Sequence, residues 1–421
     1  MKTLKPRHNH IPKRTTQTII TACILFSAVF LIFFTGCTPQ NTRSIAREEL
    51  FTITYGRMAG DLDLFQLEGI PAVNSSNIYM RDGIFYISNS NSDKVMMFNS
   101  YGDLLSLYYN TQTNPEPVLL SIQNREQEAV TNRRAFPYSF YKIGSIAVNS
   151  DKYLLVEDQM QRNRWVYDEE TNARLNRIVL RFDNDGRFID YLGQEGIGGT
   201  PFPYIEDIYV NSQDQMIVIS RTAETWMVFW FSENADLLYE YELSIDEIPV
   251  NEGENAVLET LVPDQELPRI YCKVDYFTQS VDTSTQARSG IVFQRTNVYW
   301  IDLDTGDMHS PIELPVNRRQ AQEPGIVSSS RNVYVYQLIG TVENENLFFA
   351  SRDENNRYSI MIMDTTGTVI ARRHIHIEDS ELVYKSFHVS QEGILSALLC
   401  SDTESRVVWW RTDRIFQEAE Q

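Results

Sequence analysis

The feature that most constrains this chain is a repeated unit of four short apolar runs, separated by turn-forming residues. In residues 77–108 the first two runs are joined by Asp82-Gly83, and polar loops separate the others. Apolar runs bounded by Gly, Asp, Asn or Ser are typical of β-strands linked by hairpins. The same order recurs, with looser spacing in the last three copies, at residues 143–193, 205–241, about 267–315, 333–377 and 387–415. The chain is therefore predicted to be all-β, with four-stranded antiparallel units.

The strands of these units are apolar on both faces. Residues 226–231 (WMVFWF) and 407–410 (VVWW) have large side chains at every position. A sheet with one wet face would alternate between apolar and polar residues, whereas a sheet packed between two neighbours buries both faces. Four-stranded units that repeat every 40 to 60 residues or so predict a β-propeller. The count is six blades, and a seventh stays open because residues 245–268 could hide further strands.

The N-terminal strand is predicted to close the ring. Residues 50–56 (LFTITYG) match residues 187–193 (RFIDYLG), the outer strand of the second unit. The last unit ends after its third strand, near Ile415. Pairing the N-terminal strand with this unit completes the blade and removes an open sheet edge.

The N-terminus has the pattern of an export signal. Its first 14 residues hold five basic residues and no acidic one, and residues 19–34 are apolar except for Thr21 and Ser27. Sixteen helical residues at about 1.5 Å each span about 24 Å, less than the roughly 30 Å hydrocarbon core, which favours cleavage over permanent spanning. The alternative is an uncleaved N-terminal helix.

The sequence after the apolar run, FTGC at residues 34–37, resembles the lipobox of bacterial lipoproteins, with Phe34 where Leu is usual. The resemblance implies cleavage before Cys37, a thioether-linked lipid on Cys37 and acylation of the new N-terminus. Several acyl chains give stable anchoring. The predicted organisation is a signal peptide (1–36), a lipidated tether (37–49) and the propeller domain (50–421). The predicted location is the cell envelope, on a bacterial membrane.

The charge of the chain limits its possible binding partners, and its cysteine content limits its possible disulfides. Removing residues 1–36 takes five of the 37 basic residues and none of the 57 acidic ones, so the formal charge changes from −20 to −25. This acidity argues against nucleic acid as a partner and against electrostatic adsorption to anionic lipid. Apart from Cys37, the mature chain has only Cys272 and Cys400, and whether they pair is left open.

The second unit is similar to NHL-repeat propellers in residues 156–158 (VED), in residues 178–188 (IVLRFDNDGRF) and in Gly193 and Gly196. The mature chain as a whole resembles a group of uncharacterised spirochaetal lipoproteins, through LFTITYG and RDGIFYISNSNSDKVMMFNSYGDLL. The resemblance implies a fold and a membrane location but no activity. The third to sixth units lack the NHL glycine spacing.

No catalytic motif stands out. A phosphate-binding glycine loop, a G-x-S-x-G elbow and an H-E-x-x-H helix are all absent from the sequence. His374 and His376 share one face of a predicted strand and are interpreted as exposed residues instead of metal ligands. Residues 183–186 (DNDG) begin like a calcium loop but lack the Glu at its twelfth position, so a hairpin turn explains them better. No metal, cofactor or catalytic residue is predicted.

The candidate ligand-binding residues are Asn89, Asp158 and Arg221. Each ends a predicted second strand, which places all three near one rim of the central channel. They could line a ligand site, or they could satisfy the backbone of nearby loops. The predicted function is a non-enzymatic binding or scaffolding module for an envelope protein or ligand. The alternative is a periplasmic metal-dependent hydrolase or lyase of the gluconolactonase or strictosidine-synthase kind, with a divalent ion in the channel.

Overall fold

The chain forms a six-bladed β-propeller with mostly four-stranded blades, which confirms the predicted fold class. The structure is a computed structural model that describes residues 44–65, 76–118, 120–122, 133–281, 288–318, 333–353 and 356–419. The predicted signal peptide, Cys37 and the tether up to residue 43 lie outside these residues. Among the described residues, no helix is long and apolar enough to cross a membrane.

The first strand, β1 (Glu48–Ile53), belongs to the last blade. Blade 1 follows with β2 (Ile78–Arg81), β3 (Ile84–Asn89), β4 (Lys94–Phe98) and β5 (Leu104–Tyr109), and β6 (Ser121–Ile122) and β7 (Arg134–Pro137) extend its outer edge. Blade 2 comprises β8 (Ile143–Val148), β9 (Leu154–Gln159), an inserted 3-10 turn (Arg162–Arg164) and hairpin β10 (Val166–Asp168) and β11 (Ala173–Leu175), then β12 (Arg177–Phe182), β13 (Phe188–Gly193) and β14 (Gly196–Ile197).

Blade 3 comprises β15 (Tyr204–Val210), β16 (Met216–Arg221), β17 (Thr225–Phe231) and β18 (Leu237–Ser244), followed by a 3-10 turn (Ile245–Glu247). Blade 4 comprises β19 (Glu254–Pro263), β20 (Arg269–Val281), β21 (Arg288–Asp302) and β22 (Ile312–Glu313), and β23 (Asn317–Arg318) pairs with β24 (Val333–Tyr334) beyond it. Blade 5 comprises β25 (Gln337–Val342), β26 (Asn346–Arg352), β27 (Arg357–Met363) and β28 (Val369–His376), followed by a 3-10 turn (Asp379–Glu381). Blade 6 comprises β29 (Tyr384–Val389), β30 (Leu395–Cys400), β31 (Ser405–Trp410) and β1, and the short helix α1 (Arg414–Ala419) follows.

Both faces of the blades are buried, as the sequence predicted. On β17, Phe229 packs in the core shared with blade 2, while Trp230 packs in the core shared with blade 4. Both side chains are fully buried. Radial stacking of the blades therefore explains why this strand has no polar face.

The region left open for a seventh blade, residues 245–268, contains a 3-10 turn and β19, the innermost strand of blade 4. Blade 4 therefore begins at Glu254, earlier than the start near Leu267 that the sequence predicts. The reason is that the first half of β19 alternates polar and apolar residues. Glu254 is only partly buried, and Glu259 is exposed. Such a strand does not stand out by its hydrophobicity.

The N-terminal strand closes the ring, as predicted. Strand β1 pairs antiparallel with β31 from Glu48↔Trp409 to Ile53↔Ser405. Its Phe51 ring lies 5.2 Å from that of Phe98 in blade 1 and leaves no room for a Cβ at position 102, where Gly102 has φ +83°. The strand begins at Glu48, so the last two residues assigned to the tether are part of the propeller.

Blades 6 and 1 are also joined at their innermost strands. Three alternate side chains of β29 bond to the backbone N–H groups of residues 76, 78 and 80: Tyr384 Oη at 3.3 Å, Ser386 Oγ at 3.4 Å and His388 Nδ1 at 3.2 Å. Closure therefore combines an outer strand ladder with an inner row of side-chain bonds.

The two cysteines left open do not pair. Cys272 lies on β20 of blade 4 and Cys400 on β30 of blade 6, and both are free and buried. Stability therefore rests on packing and hydrogen bonds.

Candidate functional site

The two rims of the propeller differ in the length of their connections. One rim has short turns between the first and second and between the third and fourth strands of each blade, such as residues 82–83, 149–153 and 232–236. The other rim has the ends of the second strands and the connections between blades, and we call it the loop rim. The described parts of its connections include residues 54–65, 110–118, 133–142 and 160–176.

Asn89 and Asp158 lie at the loop rim, where their side chains hold loop backbone. The Asn89 amide accepts the N–H of Asp63 at 3.0 Å and donates to the Asp63 carbonyl at 2.9 Å. The Asp158 carboxylate accepts the N–H groups of Tyr141 and Lys142, at 3.0 and 2.7 Å. Both residues are buried. These bonds match the second of the two alternatives predicted from the sequence, in which the polar side chains satisfy hydrogen-bonding groups of the loop backbone.

Arg221, in contrast, faces a cleft. Its Nε donates to Glu206 Oε2 at 2.7 Å, and its guanidinium lies 5.1 Å from the centre of the Tyr204 ring and 5.6 Å from that of Trp226. The side chain is 43% exposed. Stacking on aromatic rings and one ion pair hold the guanidinium in place.

The cleft beside Arg221 has a volume of about 860 Å³. One wall is the inserted hairpin β10–β11, with Arg174, and the other is the end of blade 3 around Glu224. Tyr204 and Met227 line it between these walls. The hairpin takes no part in closing the ring, and it forms one side of this cleft. The structure does not place Asn89 or Asp158 in the cleft.

Carboxyl groups with raised pKa values cluster behind the rim. Burial raises the pKa of Asp93 and of Glu157 to about 7 and that of Asp158 to about 6. For Glu157, burial outweighs the Arg177 guanidinium, whose Nη1 lies 3.1 Å from Oε1. The negative charge of Asp158 raises the pKa of Asp93 further. These groups cost stability when ionised, because the folded state holds their protons more tightly than the unfolded chain does.

We expect Asp93→Asn to stabilise the protein at pH 8 by an amount of the order of 1 kcal/mol, and to have little effect near pH 4. The pKa of Asp93 is raised from 3.8 to about 7, so wild-type stability falls as pH rises through this window. Asn keeps the acceptor oxygen and tolerates the positive φ of 48°. Asp82→Asn is the control, since Asp82 also has a positive φ but an exposed side chain. Urea unfolding at both pH values measures the effect, and a gain equal at both would contradict it.

The central channel contains a small cavity of about 100 Å³. Residues of all six innermost strands line it, and its polar members include Asp207, Gln265 and His388. These residues are not among the candidates predicted from the sequence. The only available signal was a polar residue within an apolar first strand, as in residues 205–210 (IEDIYV), and its direction depends on a bulge between Ile205 and Asp207.

The described residues contain no group of three or more His, Cys, Asp or Glu side chains that could hold a metal ion. His376 is exposed, with its Nε2 3.8 Å from Glu378 Oε1, whereas His374 is partly buried, so the interpretation of both histidines as exposed is correct only for His376. The metal-dependent hydrolase or lyase therefore stays a prediction, to be checked by metal analysis of the purified chain.

No protein-family model and no curated protein matches the chain. Among solved structures, it is similar to the β-propeller domain of the Trilobed protease from Pyrococcus furiosus (9% identity, 80% of this chain and 96% of that chain, TM-score 0.34). It is also similar to a protein of unknown function from Bacteroides caccae (13%, 74% and 84%, 0.32) and to a protein designated as exported from Bacteroides fragilis (10%, 88% and 98%, 0.36).

Proposed function

We propose that this chain is an exported, lipid-anchored β-propeller that binds an envelope protein or a small envelope ligand at its loop rim. The basic N-terminus, the short apolar run and the FTGC sequence support export and lipidation of Cys37. The resemblance of the mature chain to spirochaetal lipoproteins, and of blade 2 to NHL repeats, belongs to the same proposal.

The observation that carries the binding role is the Arg221 cleft. Only Nε of this guanidinium is bonded within the described part of the chain, so both terminal amino groups can donate to a ligand. Two parallel N–H donors fit a carboxylate or phosphate. The chain is strongly acidic and therefore repels a polyanion. A ligand that has one carboxylate or phosphate and is otherwise neutral is favoured.

A photo-crosslinking residue at position 224 tests this role in intact cells. Glu224 is exposed and lines the cleft, while Glu233 is exposed on a short turn of the opposite rim and gives the matched control position. We expect a discrete adduct from position 224, none from position 233, and a strong loss of the adduct in Arg221→Gln. Equal adducts from both positions, or an adduct that ignores Arg221→Gln, would count against the cleft.

Mass spectrometry of the N-terminal peptide tests the anchor separately. We expect the mature chain to begin at Cys37 with the added mass of acyl chains, and Cys37→Ala to leave an uncleaved precursor. An unmodified Cys37, or a mature N-terminus elsewhere, would remove the anchor from the proposal and leave the cleft untouched.

A further inference from the structure

The channel cavity is a separate candidate site. It lies among the innermost strands, away from the Arg221 cleft, and its volume of about 100 Å³ corresponds to roughly three water molecules. On the short-turn side, the Gln391 amide of blade 6 reaches the Val210 carbonyl of blade 3 at 2.9 Å. The Tyr79 hydroxyl likewise donates to the Val148 carbonyl at 3.2 Å. A guest in this cavity must therefore be small.

Gln265 presents an unpartnered acceptor in the lining of the cavity. Its amide nitrogen donates to both the carbonyl and the hydroxyl oxygen of Thr341, each at 3.2 Å. The Thr341 hydroxyl hydrogen is already donated to the Pro263 carbonyl at 2.6 Å, which fixes the orientation of the amide. Gln265 is only 8% exposed, and its Oε1 has no hydrogen-bond partner among the described residues. A buried acceptor without a partner is costly.

Asp207 adds a carboxylate to the same lining. Its Oδ1 accepts the N–H of Ile208 at 2.9 Å, and the Ser145 side chain also forms a hydrogen bond with the carboxylate. No basic side chain in the described ranges forms an ion pair with it. Its titratable neighbours Glu206, on its own strand, Glu157, on β9, and Tyr79, on β2, carry no positive charge. The guanidinium groups that interact with Glu157 and Tyr79 are Arg177, which pairs with Glu157 itself at 3.1 Å, and Arg81, which pairs with Asp214 at 3.6 Å.

The remaining titratable neighbours do not compensate this charge. Tyr209 shares a hydrogen bond with Asp207. His388 lines the cavity as well, but its Nδ1 accepts the Met80 N–H, and burial lowers its pKa to about 3, so it is neutral. The cavity thus offers oxygen acceptors and one uncompensated negative charge.

We propose that the channel cavity binds a small monovalent cation, with the Asp207 carboxylate and the Gln265 carbonyl oxygen among its ligands. Oxygen ligands suit hard cations. A single carboxylate balances a single positive charge, whereas a tight divalent site needs a higher ligand charge. A volume of about 100 Å³ suits a small cation better than a large organic one.

Thermal unfolding of the full-length chain in detergent at pH 8 tests the site. In NaCl or KCl, we expect a saturable rise in Tm of about 2 °C or more over choline chloride at equal ionic strength. Asp207→Asn should abolish this rise, and Asp236→Asn, an exposed carboxylate on the opposite side of blade 3, should keep it. A response to all salts alike, a response to divalent ions only, or a response that survives Asp207→Asn overturns the proposal.

Two further measurements do not depend on the variants. Burial raises the pKa of Asp207 to about 6, so protons compete with the cation and the rise in Tm should shrink at pH 5. In crystals soaked in RbCl, anomalous scattering should give a peak in the cavity. A cavity that holds only water under these conditions, or a cation effect equal at pH 5 and pH 8, contradicts the assignment.

Discussion

Replacing Ile53 by Asp is expected to destabilise the propeller by about 4 kcal/mol or more. Ile53 is 2% exposed and packs between blades 6 and 1, at the end of the strand that closes the ring. The substitution removes an aliphatic side chain and buries a carboxylate without a partner. Release of β1 would also expose the edge of β31, so aggregation should accompany the loss.

Thr52→Asp is the matched control. Thr52 lies one residue earlier on the same strand with an exposed side chain, so the same charge there should change stability by 0.5 kcal/mol or so at most. Urea unfolding gives the free energies, and limited proteolysis reports whether residues 44–53 become accessible in Ile53→Asp. Equal effects of the two substitutions would mean that β1 does not seal the ring.

The fold could be predicted from the sequence where a strand is buried on both of its faces. Strand β17 has no polar face, and this alone distinguishes a stacked blade from a sandwich strand. Strand β1 was assigned to the last blade because its sequence matches another outer strand. Strand β19 lies in the region that the sequence left open, and it could not be assigned because half of it is solvent-facing and its length results from pairing with β20, a contact that the sequence does not reveal.

The candidate site was predicted less completely. The ends of second strands do meet at one rim, and Arg221 does face a cleft, but the cleft wall comes from the hairpin β10–β11, whose direction depends on tertiary packing. Asp207 and His388 were not selected, because a residue on an innermost strand points into the channel or into a blade according to bulges such as that between Ile205 and Asp207. A single-residue bulge reverses the alternation that sequence reading relies on.

A buried ion pair in blade 4 was equally invisible in the sequence. Lys273 and Asp275 stand two apart on β20, in a segment (IYCKVDY) that would ordinarily predict one polar, solvent-facing side. Instead, the Lys273 ammonium lies 2.6 Å from Asp275 Oδ2, and Thr296 donates to Oδ1 at 2.5 Å. Both charged side chains are at most 5% exposed. In such surroundings each charge depends on its partner.

We therefore expect Asp275→Leu to cost about 3–5 kcal/mol, because it leaves a buried ammonium without its carboxylate. Lys273→Met should cost a similar amount for the converse reason. The double variant removes both charges and keeps the side-chain volume, so its stability should return to within about 1 kcal/mol of wild type. Urea unfolding of all four proteins completes the cycle. Additive losses in the double variant would show that the two charges are stabilised independently, by groups other than each other.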